Sequence, residues 1–173
     1  MAQINITLYQ SELLYDVRMK LSKIAGTFIA KKDFEQASNI QDTDGEDENV
    51  LLRSIDNAFN SIVNNLSKYI DVDKSFYNKD SNNALNKSVN DASNNKVYQY
   101  ALQMPSNYNQ NTKTTISAAS HSYIVNVVLF DWLEHTDRGE AKDYFELAKN
   151  DMNTLISAVF KRNKPTYKKP TGV

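Results

Sequence analysis

The run from Thr114 to His135, TTISAASHSYIVNVVLFDWLEH, constrains this chain more than any other stretch. Between Tyr123 and Leu133 it is apolar on nearly every side, interrupted only by Asn126 and Asp131. A helix that is apolar all round has to be covered by several neighbours at once. Three other segments have one-sided apolar stripes long enough to surround it, so the expected fold is mainly α, a four-helix bundle. Val127→Asp, in the middle of the run, is expected to unfold it.

The first surrounding helix is predicted from about Tyr9 to Lys31, with Leu14, Val17, Leu21, Ile24 and Phe28 at spacings of three and four. Gly26 weakens its last turns and is expected to bend it or end it early, and Lys31 and Lys32 suit the negative end of its dipole. From Asp33 to Glu48 there are seven acidic residues and no basic one, which reads as a solvated linker. Asp44 is placed to cap the second helix, with Glu46, Asp47 and Glu48 in its positive first turn. That helix carries Leu51, Ile55, Ala58, Phe59, Ile62, Val63, Leu66 and Ile70 on one face.

Asparagine is the outlier of the composition, and ten of its 21 occurrences fall between Asp71 and Lys113. Asn side chains compete with helix hydrogen bonds, so 71–113 is expected to be a less regular loop and β excursion. Within it, Lys96 to Met104 alternates strictly, with Tyr98, Tyr100, Leu102 and Met104 on one side, and Pro105 follows. This reads as a strand, which needs a partner for its backbone groups. Ile4, Ile6 and Leu8 in the N-terminal arm, Phe76-Tyr77 in the loop, or another subunit are the candidates. After the central helix, Asp137 with Glu140 three residues on forms a capping pattern. It opens a last helix that runs to about Lys161, with Ala141, Tyr144, Phe145, Ala148, Met152, Leu155, Ile156 and Val159 on one face. The short junction makes this helix an antiparallel neighbour of the central one.

The expected organisation is one helical-bundle domain over 1–162 and a basic C-terminal arm over 163–173. A single core suits the 173 residues. The N-terminus has no continuous apolar run of signal-peptide type, and no stretch reaches the roughly 18–20 apolar residues of a membrane span. The absence of cysteine removes disulfides and thiolate sites and fits a reducing compartment. The chain is therefore expected to be soluble and to be made in the cytoplasm.

No catalytic chemistry is expected. His121 lies between Ser120 and Ser122, but adjacent side chains on a helix point different ways, so its expected role is structural. Asp131 and His135 share a helix face and are expected to form a local ion pair. Zinc would need further ligands, and there is neither Cys nor a third His. Glu46, Asp47 and Glu48 lack the alternating ligands of a calcium loop, and four glycines build no phosphate cradle. No cofactor or metal is called for. The tail KRNKPTYKKPTGV has five positive charges and no acid. Lys161, Arg162, Lys164, Lys168 and Lys169 would neutralise phosphates non-specifically, dock on a protein with Tyr167 as anchor, or stay solvated in a free tail. Tyr98 and Tyr100 are the other interface candidates.

The order is helix, acidic linker, helix, Asn-rich β excursion, two antiparallel helices and a basic tail. With the segments DGEDENVLLRSIDNAF and IVNVVLFDWLEHTDRGEAKDYFELAKNDMNTLISAVFKRNKP, it resembles the head-to-tail connector (neck ring, or adaptor) proteins of tailed bacteriophages. It is similar in particular to the ring proteins beneath the portal in crAss-like phages. The resemblance implies a non-enzymatic virion protein of the neck, a homo-oligomer forming a ring commonly of twelve subunits. Its implied partners are the portal and the adjacent tail or ring proteins, with genome DNA passing through the lumen without sequence-specific binding and no membrane. The alternative is a small helical nucleic-acid-binding protein, for packaging or regulation, that uses the basic tail; a net charge of −1 and the lack of helix-turn-helix spacing weigh against it.

Overall fold

The computed structural model describes residues 2–40, 45–70, 88–90 and 96–163. The chain is mainly helical with a small antiparallel sheet. In order, β1 (Ala2–Tyr9) leads straight into α1 (Gln10–Ala30), followed by α2 (Phe34–Ile40) and α3 (Gly45–Asn65). Then come β2 (Ser88–Asn90), β3 (Lys96–Met104), α4 (Lys113–Thr136) and α5 (Arg138–Phe160).

The all-round apolar segment is α4, and among the described residues it touches the other four α-helices and β1. Ile124, Val128, Leu129 and Leu133 are fully buried in it. Val127 is only half-buried, so the residue whose charge would break the core is its neighbour Val128. α5 returns antiparallel along α4 after a junction in which the Asp137 carboxylate accepts from the backbone N–H groups of Gly139 and Glu140 at 3.0 and 3.3 Å. Asp137→Ala removes this cap at a cost of about 1 kcal/mol. Thermal unfolding of that variant is expected to shift down by about 2–4 °C.

The β3 strand has the alternation that the sequence predicts, and the N-terminal arm is its partner. β1 pairs with it antiparallel along its whole length, Ala2 opposite Met104 and Tyr9 opposite Val97. This register puts Ile4, Ile6 and Leu8 opposite Leu102, Tyr100 and Tyr98, and all six are buried. Two period-2 patterns thus face the helices together. β2 covers the other edge of β3 opposite 96–98, and further along that edge Ile70 bridges to Leu102. Phe76-Tyr77 lies outside the described residues, as does Asp44.

Four further expectations are corrected. The stretch 33–48 is not linker throughout, because α2 folds within it. The Asp33 carboxylate accepts from the N–H of Gln36 at 3.2 Å, and Ala37 and Ile40 face the core. The second long helix ends at Asn65 rather than Ile70, because the chain turns so that the carbonyl of Tyr69 accepts from the N–H of Gln103 at 2.7 Å. Phe145 is half-exposed at the edge of the α4–α5 contact, its ring centroid 5.3 Å from that of Phe130. Gly26 does not end α1: its helix runs on to Ala30, and nothing lies within 4 Å of where a Cβ would stand.

Candidate functional site

Among the described residues four polar side chains are buried, and three of them, Ser54, Ser120 and Asn126, join two elements. Asn126 is buried on α4, accepts from Lys20 Nζ on α1 at 3.1 Å and donates to Asp151 on α5 at 2.8 Å. A lysine on one side and a carboxylate on the other fix which way the amide points. Burial pulls the Lys20 ammonium below its ordinary pKa, Asp16 and Asp151 oppose that, and Lys23 adds to it. The ammonium also lies 5.8 Å from the ring centroid of Tyr144. One helical turn nearer the start of α1, Asp16 meets His121 Nε2 at 2.8 Å. Among the described residues no hydroxyl is hydrogen-bonded to either histidine. The Asp16–His121 contact joins α1 to α4.

A second set ties α3 and α4 to the sheet. Tyr98 donates to Asp56 at 2.5 Å, and Lys96 Nζ donates to the same oxygen at 2.6 Å. Ser120 donates to the carbonyl of Ile116 at 2.8 Å, which leaves Tyr100 to donate to Ser120 at 2.6 Å. Tyr98 and Tyr100, expected as interface residues, are instead core residues at 3% and 2% exposure. Burial pushes both phenols well above their ordinary pKa, and for Tyr98 the neighbouring Asp56 carboxylate adds to the effect. Their folded pKa values lie above the unfolded value near 10, so the stability they contribute is fully present below that pH. It is lost as pH rises beyond about 10, where the unfolded chain releases the protons first. Urea midpoints are expected to fall above that pH, and less steeply in Tyr98→Phe/Tyr100→Phe.

A cleft of about 790 Å³ opens between α2, α3 and α4. Four of its polar side chains are engaged with other groups. Asp131 accepts from Ser54, the Trp132 indole donates to the carbonyl of Ile40 at 2.9 Å, and Arg53 Nε donates to the carbonyl of Asn49 at 3.3 Å. The ion pair expected between Asp131 and His135 is therefore replaced by the Ser54 contact, which joins α4 to α3. His135 is exposed at the cleft edge. Among the described residues no three His, Asp or Glu side chains are grouped to hold a metal ion. Nor is any described helix long and apolar enough to cross a membrane.

At the end of α5, Lys161 is exposed beside a groove of about 580 Å³ lined by hydroxyls and amides, including Thr115, Asn153, Thr154 and Ser157. Arg162 turns back, and its Nη1 donates to the carbonyl of Val159 at 2.7 Å, where a cation meets the negative helix end. Asn163 is held by the carbonyls of Asn107 and Tyr108 at 2.8 and 3.1 Å. The chain is thus pinned to this point before the basic arm begins. Lys164, Tyr167, Lys168 and Lys169 lie outside the described residues.

One feature of the surface was not picked out in the sequence. Tyr15, Met19, Ser22, Gly26 and Ile29 form an exposed row along the side of α1 turned away from the core. Its signal was present as spacings of four, three, four and three, hidden by the inward stripe on the same helix. Compared with family models, curated proteins and solved structures, the chain gives no match to any of them.

Proposed function

We propose that the protein is a non-enzymatic structural subunit that acts by assembling with copies of itself and with neighbouring proteins. In its finer form the reading is a ring between portal and tail of a tailed bacteriophage, with the helical bundle as the wall and genome DNA passing through. The observation that carries it is the division of labour between interior and surface. Interior polar groups bond to one another across elements, whereas large apolar side chains stand exposed: Tyr15, Met19, Ile29, Phe34, Val50 and Phe160 are each 41–65% accessible. Apolar and aromatic residues at a surface are the material of interface cores. The connector form rests on the resemblance of the element order and of the two quoted segments.

Mass measurement and electron microscopy of the full chain test this reading. A closed ring is expected, alone or on addition of a portal. Deleting 164–173 is expected to leave the unfolding transition in place while reducing the assembled mass. The second reading, nucleic-acid binding, draws on the groove beside Lys161 and on the charge of the tail. A chain that never assembles and binds duplex DNA with an affinity falling steeply with salt would replace the first reading by the second.

A further inference from the structure

We propose that the outward face of α1 pairs with α1 of a second copy of the chain, as a short antiparallel coiled coil. The inward face of α1, made by Leu13, Val17, Leu21, Ile24 and Ala25, is buried in the fold. On the solvent side, Tyr15, Met19, Ser22, Gly26 and Ile29 repeat every 3.5 residues on average over two heptads, and none of these five is charged, while the exposed Glu12 and Lys23 flank the row on one edge. In this position solvent-facing helices of a chain with 24% charged residues would carry charge. Tyr15 is 63% exposed, Ile29 46% and Met19 41%. A repeat of 3.5 is that of a seam between helices, with Met19 and Gly26 at one core position and Tyr15, Ser22 and Ile29 at the other.

Shape and charge select the occupant and its direction. The space above Gly26 is open, and Tyr15 is the large side chain with most surface to cover. An antiparallel pair brings these two together at both ends of the contact, and sets Met19 of each copy beside Ser22 of the other. The edge of the seam gives the second argument. Asp16 and Lys23 sit one heptad apart on the same edge. The Asp16 carboxylate is 49% accessible and keeps one oxygen on His121, while Lys23 is exposed. In an antiparallel pair like edges face each other, so Asp16 of one copy meets Lys23 of the other, twice by symmetry. A parallel pair would instead set Lys23 against Arg18, a cation that already pairs with Glu48 at 2.9 Å, so Lys23 would gain no carboxylate there. The contact is isologous, so it joins two free subunits or two rings and does not depend on a ring existing.

The natural absence of cysteine makes disulfide trapping a clean test. In the antiparallel register Tyr15 faces Gly26 of the other copy, whereas two Tyr15 positions are offset by 11 residues, about 16 Å along the axis. Chains with Tyr15→Cys mixed with chains with Gly26→Cys are expected to give a mixed disulfide under mild oxidation, and neither alone a disulfide dimer. Sedimentation of the unmodified chain is expected to show a concentration-dependent dimer, or paired rings. Met19→Asp, at an exposed position, is expected to abolish this association without altering the unfolding transition. A disulfide dimer from Tyr15→Cys alone, an association that Met19→Asp leaves intact, or an unmodified chain with no two-fold pairing at millimolar concentration would each overturn the proposal.

Discussion

Val128→Asp leaves no folded protein. Val128 is fully buried near the middle of α4, the helix in contact with the other four described α-helices. An unpaired carboxylate there costs about 3–5 kcal/mol, and about 1.5–3 kcal/mol of valine burial is lost with it. The sum is comparable to the whole stability of a typical domain, about 5–15 kcal/mol. Circular dichroism should show loss of the cooperative transition, and the expressed chain should be aggregated or degraded. Tyr15→Asp provides the contrast, since its side chain is exposed. That change is expected to move the unfolding free energy of the monomer by about 0.5 kcal/mol or less. A folded, cooperative Val128→Asp protein would mean that α4 is not the centre of the core.

Phe59→Ala separates the sheet from the helices without unfolding them outright. Phe59 on α3 is 1% exposed, and its ring centroid lies 5.0 Å from that of Tyr98 and 6.1 Å from that of Tyr100. Both tyrosines belong to β3, so one side chain joins a helix to the central strand. Truncating a buried phenylalanine costs about 3–5 kcal/mol, including the cavity that remains. At about 2–4 °C per kcal/mol, the midpoint falls by about 6–20 °C. The near-ultraviolet signal of the tyrosines should weaken in the folded state that survives. Phe160→Ala, at a ring 51% exposed on the end of α5, should cost about 1 kcal/mol or less. Equal losses in the two variants would contradict the role assigned to Phe59.

The parts of the fold that were legible are those where one periodicity dominates. The apolar run of α4, the stripe of α3 and the alternation of β3 each follow from spacing alone. Asp137 was legible as a cap because its carboxylate acts within three residues of itself. Pairing over distance was not: the sequence leaves three partners open for β3, and only the register of β1 against it decides. The α2 helix was missed because its acidic composition suggested solvent, although Asp33 followed by Gln36 three residues on is itself a helix-start signal. Tyr98 and Tyr100 were misassigned because alternation says which residues share a side, not whether that side meets water or a helix. The outward row on α1 was obscured for a related reason. Two periodic stripes on one helix interleave in sequence, and the buried one is the more apolar.

The full-length pairing of β1 with β3 has a consequence for the order of events at the ribosome. β1 has to wait until its partner strand, some 95 residues later (Tyr9 to Met104), has been made. At a synthesis rate of about 5–20 residues per second, that delay is about 5–20 s. Throughout it, Ile4, Ile6 and Leu8 have no strand to pair with, and α1 lacks the α4 helix against which its inward face packs. Such a distant closure raises the contact order and slows folding relative to a chain of helical hairpins. The α4–α5 hairpin, made last from neighbouring sequence, can form locally as it emerges. Residues 2–9 therefore stay exposed to other nascent copies for the whole of that delay.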